Sequence, residues 1–479
     1  MTTTTPLDSR TKRSIVALLA SVLCSSIAGQ AAFTALGKFV FDINGRELDL
    51  GWLGLAEFAP AALLVLVTGT VADRVDRRTV VSIALGLQTF TMLALAAYTR
   101  AAHPHIAPIL AIVVATGITR AFIAPSVRSL PADVVPAEHL PALTAKFSAT
   151  WQIALIGGPV LGGALYLWSP TAPFVAAAVL VAVASVTILA VERSDAREVR
   201  HGHATIAEEA LLDAALEPTE GPLVTTDRRG GVHEALEGLR FIRSRPILLG
   251  AISLDLFAVL FGGAFALLPA IADKRLHVGA LGLGWLNAAA GIGAAIVTFT
   301  LAARPLRRHI GVTLLSVVAL FGTFTIVLGV THVYAIAFVA VMLLAGADAV
   351  SVFIRATLVP LVTPEDRRGR VLAVENVFIG ASNELGAFES GVAGQWLGAG
   401  GAVVLGGIAT LVVAGTWWFA FPDLRSVDEF PAAASVAAIQ ALGVRYVIVR
   451  FDPYGPVERD RLVRALEQPP AALVLRTTI

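Results

Sequence analysis

Residues 69–78 read Gly69-Thr70-Val71-Ala72-Asp73-Arg74-Val75-Asp76-Arg77-Arg78, a short run that carries five charges. One apolar segment, Leu50–Ala72, extends into this run, and another, Val80–Tyr98, begins just after it. Each segment has close to the roughly 20 apolar residues that a helix needs to cross a bilayer. Charged groups avoid hydrocarbon, so the run is expected at a membrane surface. The sequence therefore predicts a helix that crosses a membrane, a tight charged turn, and a second helix that crosses back.

The composition of the whole chain also indicates an integral membrane protein. Hydrophobic residues make up 56% of the 479 residues and charged residues only 15%, with a mean hydropathy of +0.77. Soluble domains carry about 25% charged residues. The net charge of +1 leaves no field that would attract nucleic acid, so no nucleic-acid partner is expected. The one cysteine, Cys24, excludes a disulfide framework within the chain and a cysteine-rich metal site.

Apolar segments long enough to span a bilayer recur along the chain, and we count about twelve of them. Helices are expected because a spanning segment must satisfy all of its backbone groups internally. Basic residues crowd one set of loops, for example Arg304, Arg307 and Arg308, and the positive-inside rule places those loops and both termini in the cytoplasm. The segments lie near residues 14–37, 50–72, 79–99, 107–129, 144–168, 171–191, 246–271, 279–303, 309–330, 333–359, 371–397 and 401–421.

A polar stretch divides these spans into two groups of six. The expected domains are an N-terminal six-helix bundle over residues 1–191, a cytoplasmic linker over 192–245, a C-terminal six-helix bundle over 246–427 and a tail over 428–479. In the linker, apolar residues of 233–243 recur at helical spacing, which predicts a short amphipathic helix at the inner membrane surface. Short apolar runs in the tail predict a small cytoplasmic α/β fragment of unknown role.

The charged run has the pattern Gly-x-x-x-Asp-Arg-x-x-Arg-Arg, formed by Gly69, Asp73, Arg74, Arg77 and Arg78. It resembles the loop between helices 2 and 3 of the major facilitator superfamily of transporters. This resemblance implies an all-α integral membrane fold, with twelve transmembrane helices in two six-helix bundles around a central cavity. It also implies a gating role, in which Asp73 meets the N-terminal end of the eleventh helix near Arg370. Asp76 stands where the family pattern has glycine, so a stiffer turn is expected.

Glycines also cluster in the fifth span, where the chain reads Gly158-Pro159-Val160-Leu161-Gly162-Gly163. This run resembles the fifth-helix motif of the superfamily's antiporters, which implies export driven by inward proton flow. Plain helix packing remains an alternative, because closely spaced glycines let helices approach and Pro159 bends the span. Residues 381–391 and 253–258 are similar to a bacterial branch that includes the enterobactin exporter and drug-efflux proteins.

Ionisable and amide side chains inside the apolar spans are candidates for coupling transport to protons or to substrate. A charge in hydrocarbon is costly, so such residues usually face a cavity and have a function. Arg120 resembles the fourth-helix arginine that the superfamily associates with proton coupling, although a structural counter-ion is an alternative. For each carboxyl group, the alternative is a neutral or hydrogen-bonded acid between helices. The candidates are Glu57, Arg120, Asp255, Asn383, Glu384 and Glu389.

The expected function is secondary active export of a small organic compound, such as a drug or siderophore, by proton antiport and alternating access. The expected location is the bacterial cytoplasmic (inner) membrane, and the expected partners are the substrate and membrane lipids, with the chain as a monomer. No phosphate-binding loop of the form Gly-x-x-x-x-Gly-Lys-Ser/Thr occurs. The proton gradient, rather than ATP or a cofactor, is therefore expected to drive transport, and no enzymatic activity is expected. Alternatives are an importer or lipid flippase of the same fold, or a membrane receptor or regulatory module that acts through the tail.

Overall fold

The computed structural model describes residues 7–191 and 231–431, and most of this part of the chain is helical. No strand occurs within those two ranges. The predicted α/β tail from residue 432 onward, and residues 192–230 of the predicted linker, lie outside the described residues. The helices are α1 (Ser9–Asn44), α2 (Glu47–Arg74), α3 (Arg77–Tyr98), α4 (Ile106–Val134), α5 (Leu140–Tyr166), α6 (Ala172–Thr187), α7 (Gly231–Ser244), α8 (Pro246–Phe261), α9 (Leu268–Lys274), α10 (Ala280–Ala303), α11 (Ile310–Val330), α12 (Tyr334–Val362), α13 (Glu365–Ala420) and α14 (Pro422–Arg425).

Local sequence explains several of the helix ends. The carboxylate of Asp8 accepts a hydrogen bond from the backbone N–H of Ser9 at the start of α1. The same helix ends at Gly45, which has φ 61°, a left-handed conformation that suits a residue without a Cβ. Only two residues separate α2 from α3. The second of them, Asp76, caps α3 by accepting a hydrogen bond from the backbone N–H of Arg78.

Two breaks shape the helices after residue 245. The seventh predicted span is interrupted, because α8 ends at Phe261, a 3₁₀ turn covers Ala264–Leu267, and α9 follows. The long helix α13 contains two helical stretches that meet at Gly398, where φ is 72° and ψ is 158°. A positive φ of this kind favours glycine. Gly398 therefore forms the corner between the segments predicted as the eleventh and twelfth spans.

Nine helical segments in the described part of the chain are long and apolar enough to cross a membrane. One of them, Arg367–Ala420, has 54 residues and contains the corner at Gly398. The helices α2 and α5, of 28 and 27 residues, are not among the nine. The structure thus confirms an all-helical fold with several candidate membrane spans, whereas the count of twelve stays a prediction.

The helices pack in two groups, which we call the first half (α1–α6) and the second half (α8–α13). The core of the first half includes Phe41, Leu85 and Phe174, and that of the second includes Leu314 and Ile354. The halves meet along two helix pairs, α2 with α13 and α5 with α10. Because short turns join consecutive helices, the bundle has two ends. We call the end with the α2–α3, α10–α11 and α12–α13 turns the basic end, and the other the opposite end.

The amphipathic helix predicted over residues 233–243 is present as α7. It packs against the second half, where Phe241 and Ile242 belong to a cluster of buried apolar side chains with Val371 and Val374 of α13. At the edge of this contact, the guanidinium of Arg370 donates a hydrogen bond to Glu237 over 2.9 Å. The last part of the predicted linker is therefore a docked helix that continues almost directly into α8.

Candidate functional site

The arginines after the α2–α3 turn contact residues of the first half. Arg77 Nη1 lies 2.8 Å from Asp133 Oδ2 near the end of α4. Arg78 pairs with Asp76 over 2.9 Å and also donates to the backbone carbonyl of Val191. Asp76, the departure from the family pattern, is thus both the cap of α3 and a partner of Arg78. These contacts hold the turn against the ends of α4 and α6.

The other members of the predicted gating motif lie in the last turns of α2. Gly69, Asp73 and Arg74 are helical, and their side chains are outside the part of the chain that the structure describes. Arg370, near which Asp73 was expected to meet α13, is bound to Glu237 of α7. A gating contact of Asp73 stays a prediction.

The glycine run of α5 packs on two sides. Gly158 and Gly162 lie against α1, where a Cβ at Gly158 would approach Gln30 Cβ to 2.5 Å and a Cβ at Gly162 would overlap the carbonyl of Ala31. Gly163 faces the second half instead, and its missing Cβ makes room for the carbonyl of Ala280 in α10. The carbonyl of Pro159 also contacts α10. Close packing, the alternative explanation, accounts for these glycines in this arrangement, and the link to antiport stays a prediction.

Glu57, Arg120 and Glu384 form a charged group where the two halves meet, which we call the interface cluster. Arg120 of α4 forms an ion pair with Glu57 of α2, and about a third and a quarter of their side chains are exposed (32% and 24%). Gly117, one turn before Arg120, lies directly against the backbone carbonyl of Glu57. The absence of a side chain there lets α2 and α4 approach closely enough for the pair to form.

Glu384 of α13 reaches the same place from the second half. A Cβ on Gly54, one turn before Glu57 in α2, would lie 2.7 Å from Glu384 Oε2. The carboxylate of Glu384 is close enough to Glu57 and Arg120 for their charges to act on it. Two carboxylates and one guanidinium therefore meet across the contact between the halves. Arg120 is the counter-ion of Glu57, and its role in proton coupling stays a prediction.

Asp255, Arg355 and Glu375 form a second charged group, which we call the buried triad, entirely within the second half. Nη2 of Arg355 lies 2.7 Å from Asp255 Oδ1, and Nη1 lies 3.7 Å from Glu375 Oε1. The three residues are only 3 to 5% exposed. Sequence reasoning selected Asp255 but missed Arg355 and Glu375. The signal that selected Arg120, a charge inside an apolar helix, also applies to Arg355.

The remaining two candidates lie on α13 beside these groups. Glu389 is partly buried and precedes the buried Ser390 on the same helix. Asn383 immediately precedes Glu384, so its side chain leaves the helix about 100° away from that of Glu384. Within residues 7–191 and 231–431, no group of three or more histidine, cysteine, aspartate and glutamate side chains is arranged to hold a metal ion.

A set of ion pairs joins the halves at the opposite end, and we call it the ionic latch. Lys38 of α1 pairs with Asp42 of the same helix and lies 3.1 Å from Asp273 of α9. In the converse direction, Lys274 of α9 lies 2.8 Å from Glu47 of α2. Lys38 and Glu47 are 8% and 4% exposed, so the latch is buried on the side of the first half. Two ion pairs therefore join the halves at this end of the bundle.

Family and structural comparisons agree with this architecture. A family model described as "Major Facilitator Superfamily" matches residues 18–374, so the chain belongs to that superfamily. It is a multi-pass membrane protein and a secondary transporter, in a superfamily of transporters rather than enzymes. No curated protein matches the sequence.

Similar solved structures carry the same fold at low sequence identity. A bacterial homologue of the human lysosomal transporter Spinster, inward-facing and unoccupied, is 14% identical, with 88% of this chain and 97% of that chain covered and a TM-score of 0.61. The nucleoside transporter NupG is 13% identical, with 85% and 99% covered and a TM-score of 0.58. An auto-inhibited peptide transporter of the POT family is 13% identical, with 88% and 99% covered and a TM-score of 0.61. Such likenesses show the fold alone, so the enterobactin-exporter and drug-efflux branch stays a prediction.

Proposed function

We propose that this transporter exports a small organic compound across the bacterial cytoplasmic membrane in exchange for protons. The observation that carries the proposal is the interface cluster, in which Glu57 and Arg120 of the first half meet Glu384 of the second half. Arg120 pairs with Glu57, and the carboxylate of Glu384 stands beside this pair, so the three side chains together carry a net charge of −1 when all are ionised. A proton balances that charge, and so does a cationic group on a substrate.

Competition for this negative charge is the physical basis of antiport. An unpaired charge within the membrane-spanning part of a protein is costly, so the cluster favours one bound cation or proton at a time. Binding of the substrate then releases the proton, and binding of the proton releases the substrate. Because Glu384 belongs to the other half from Glu57 and Arg120, occupancy also changes the attraction between the halves.

Alternating access requires that each end of the bundle opens in turn, and the ionic latch supports this part of the proposal. Lys38–Asp273 and Lys274–Glu47 are the pairs of the latch that join the halves, so they must separate when the opposite end opens. At the basic end, the motif of Gly69, Asp73 and the following arginines takes the matching gating role. Both termini, and therefore the basic end, lie in the cytoplasm in this proposal.

The coupling is tested in everted membrane vesicles with a respiration-driven pH gradient, acidic inside. A panel of fluorescent cationic dyes, antibiotics and siderophores is added, and acridine-orange fluorescence reports proton loss from the vesicle lumen. We expect an accepted compound to enter the vesicles and release protons. In Glu384→Gln vesicles, proton release should fall to the background of vesicles without the protein. Glu429→Gln, a matched change at an exposed position, should leave proton release unchanged.

Two results of this assay would contradict the proposal. Substrate-dependent proton release that is unchanged in Glu384→Gln would exclude the interface cluster as the coupling site. Movement of every accepted compound out of the everted vesicles would show import in the cell instead of export. Flipping of a labelled lipid without any accepted soluble compound would favour a flippase.

The latch is tested by cross-linking in a Cys24→Ser background, which removes the one native thiol. Lys38→Cys and Asp273→Cys are combined and treated with a short bis-methanethiosulfonate reagent. We expect transport of an accepted dye to stop on cross-linking and to return after reduction with dithiothreitol. Each single-cysteine variant, treated in the same way, is the control. Full transport by the cross-linked protein would exclude opening at this end.

A further inference from the structure

We propose that the outward side of α7 binds the headgroups of anionic phospholipids at the membrane surface of the basic end. This side, which we call the α7 stripe, consists of Leu236, Leu239, Arg240 and Arg243, and all four residues are exposed. The inference goes beyond the proposed function, because it assigns a lipid site on the surface of the second half and holds for either direction of transport.

Helix geometry and packing together fix the direction of the α7 stripe. At about 100° per residue, its four side chains fall within an arc of about 100° around the helix. The other side of α7 is buried, where Phe241 and Ile242 contact Val371 of α13. Gly238 lies on that buried side, and a Cβ there would come within 2.8 Å of the backbone carbonyl oxygen of Arg370. The stripe therefore points away from the second half.

The end of α7 lies where a candidate membrane span begins. Both α8 and the span Pro246–Lys274 start at Pro246. A proline disfavours helical backbone at the preceding residue, and Arg245 is extended, with φ −121° and ψ 105°. The helix is interrupted there, so α7 is not a simple extension of the span. Arg243 is three residues from the span, at most about 10 Å along the chain, and its long side chain reaches the headgroup layer.

The α7 stripe combines the two kinds of side chain that suit a membrane surface. Leu236 and Leu239 are 53% and 37% exposed, and such apolar groups gain stability at the boundary between headgroups and acyl chains. Arg240 and Arg243 are neighbours on the helix surface, with about 5–6 Å expected between their Cβ atoms. Two guanidiniums at this spacing can bind one phosphate group, because each presents a fork of N–H donors that matches the phosphate oxygens.

The charge of this region favours anionic over zwitterionic lipids. Residues 238–249 contain three arginines and no aspartate or glutamate. The acids of α7, Glu234 and Glu237, come earlier in the helix, and Glu237 pairs with Arg370 of α13 over 2.9 Å. A membrane surface that contains anionic lipids has a negative potential, which attracts basic segments beside a membrane span. We therefore expect phosphatidylglycerol to bind the α7 stripe more tightly than phosphatidylcholine.

Lipid contact is tested with a fluorescent probe on the α7 stripe of the full chain in nanodiscs. In a Cys24→Ser background, Leu239→Cys is labelled with nitrobenzoxadiazole. The nanodiscs contain phosphatidylcholine and phosphatidylglycerol, and only one of the two lipids has a nitroxide on its acyl chain, which quenches the probe. We expect nitroxide-labelled phosphatidylglycerol to quench more strongly than nitroxide-labelled phosphatidylcholine at the same mole fraction. Glu429→Cys, an exposed position, is labelled as the control and should show no preference.

The role of the arginines is tested by combining Arg240→Gln and Arg243→Gln in the labelled protein. The preference for phosphatidylglycerol should fall about fivefold for each arginine lost. Arg304→Gln combined with Arg307→Gln removes the same charge from exposed positions in the α10–α11 turn, and this control should keep the preference. In the unsubstituted stripe, about 1 M salt should also reduce the preference, because the Debye length is then only about 3 Å.

Three results would overturn the proposal. Equal quenching by the two nitroxide lipids would show that the stripe touches the bilayer without selecting a headgroup. A preference for phosphatidylglycerol that survives the loss of both Arg240 and Arg243 would show that these arginines do not bind the lipid. If neither lipid quenches the probe, the α7 stripe faces water or another protein segment instead of the membrane.

Discussion

The interface cluster and the buried triad contain the same charges in different places. Each has two carboxylates and one arginine, yet Glu384 and its partners join two halves, whereas the triad joins helices of one half. The side chains of Arg120 and Glu57 are 32% and 24% exposed, and those of Arg355 and Asp255 are 3% and 6% exposed. The same charge count therefore implies different consequences. Loss of the arginine inside one half should lower the free energy of unfolding. Loss of the arginine at the contact between the halves should reduce the rate of transport.

The largest expected effect comes from removing each arginine. Arg355→Gln removes the guanidinium that pairs with the buried carboxylate of Asp255, which should cost about 3–5 kcal/mol of unfolding free energy. Arg120→Gln removes a partly exposed partner, and screening by water should limit its cost to about 1 kcal/mol or less. Thermal unfolding and the yield of monodisperse protein measure the difference. Equal losses of stability in the two variants would contradict the different roles assigned to the two sites.

A smaller effect is expected from two neighbouring glycines of α5. Gly162→Ala meets Ala31 within the first half and should destabilise every conformation by about 1–3 kcal/mol. Gly163→Ala meets Ala280 across the halves, so it should disfavour only the arrangement in which α5 and α10 touch. Gly163→Ala is therefore expected mainly to slow dye transport, with a smaller effect on the unfolding temperature. Gly162→Ala is expected mainly to lower the unfolding temperature, with a smaller effect on dye transport. Gly157→Ala, with no atom within 4 Å of the added Cβ, is the control for both.

The smallest effect is expected at the exposed ion pair of Arg308 and Asp428, which serves as a surface control for the interface cluster and the buried triad. Hydrogen bonds from the guanidinium of Arg308 and from the backbone N–H of His309 lower the pKa of Asp428 below its usual range. Because the pKa of Asp428 is lower in the folded protein, its ionised carboxylate stabilises the fold at pH values above the pKa of an unfolded aspartate, about 3.9. This stabilisation is lost as the pH falls through the lowered pKa of the folded protein.

Asp428→Asn should therefore slightly increase proteolysis after Val427 at neutral pH and lose its effect at strongly acidic pH, with dye transport unchanged. An effect of Asp428→Asn on proteolysis that grows as the pH falls would contradict the lowered pKa of Asp428. Truncation after residue 431 keeps Asp428 in place and so tests the tail alone. Loss of transport with normal membrane insertion would then favour the receptor or regulatory alternative.

Much of the fold is predictable because membrane spans are a local property of the chain. Predicted spans such as 309–330 and 79–99 lie within a residue or two of α11 and α3, since mean hydropathy over one helix is enough to place them. The helix over 233–243 follows from spacing in the same way. The break between Phe261 and Ala264 was missed, because a short 3₁₀ turn inside an apolar segment leaves no change in hydropathy.

The candidate site was predictable only as a set of separate residues. Glu57 and Arg120 are 63 positions apart, and Asp255 and Arg355 are 100 apart, so no spacing rule pairs them. Arg355 and Glu375 were missed because they lie near the ends of the predicted spans 333–359 and 371–397, where a charged residue is common. The ionic latch of Lys38, Asp273 and their neighbours was missed for a related reason, since charges near the ends of spans are common and do not reveal a partner.

The sequence by itself determined the class of fold, the tight turn at residues 69–78 and which helices carry charge, because hydrophobicity and helix periodicity act over about 20 residues. Only the tertiary structure decided which charges meet. Gly162 and Gly163 illustrate the reason, because they are adjacent in sequence but point about 100° apart, one toward α1 and one toward α10. Whether a charge or a glycine serves folding or transport depends on which half lies opposite it, and that is a property of packing.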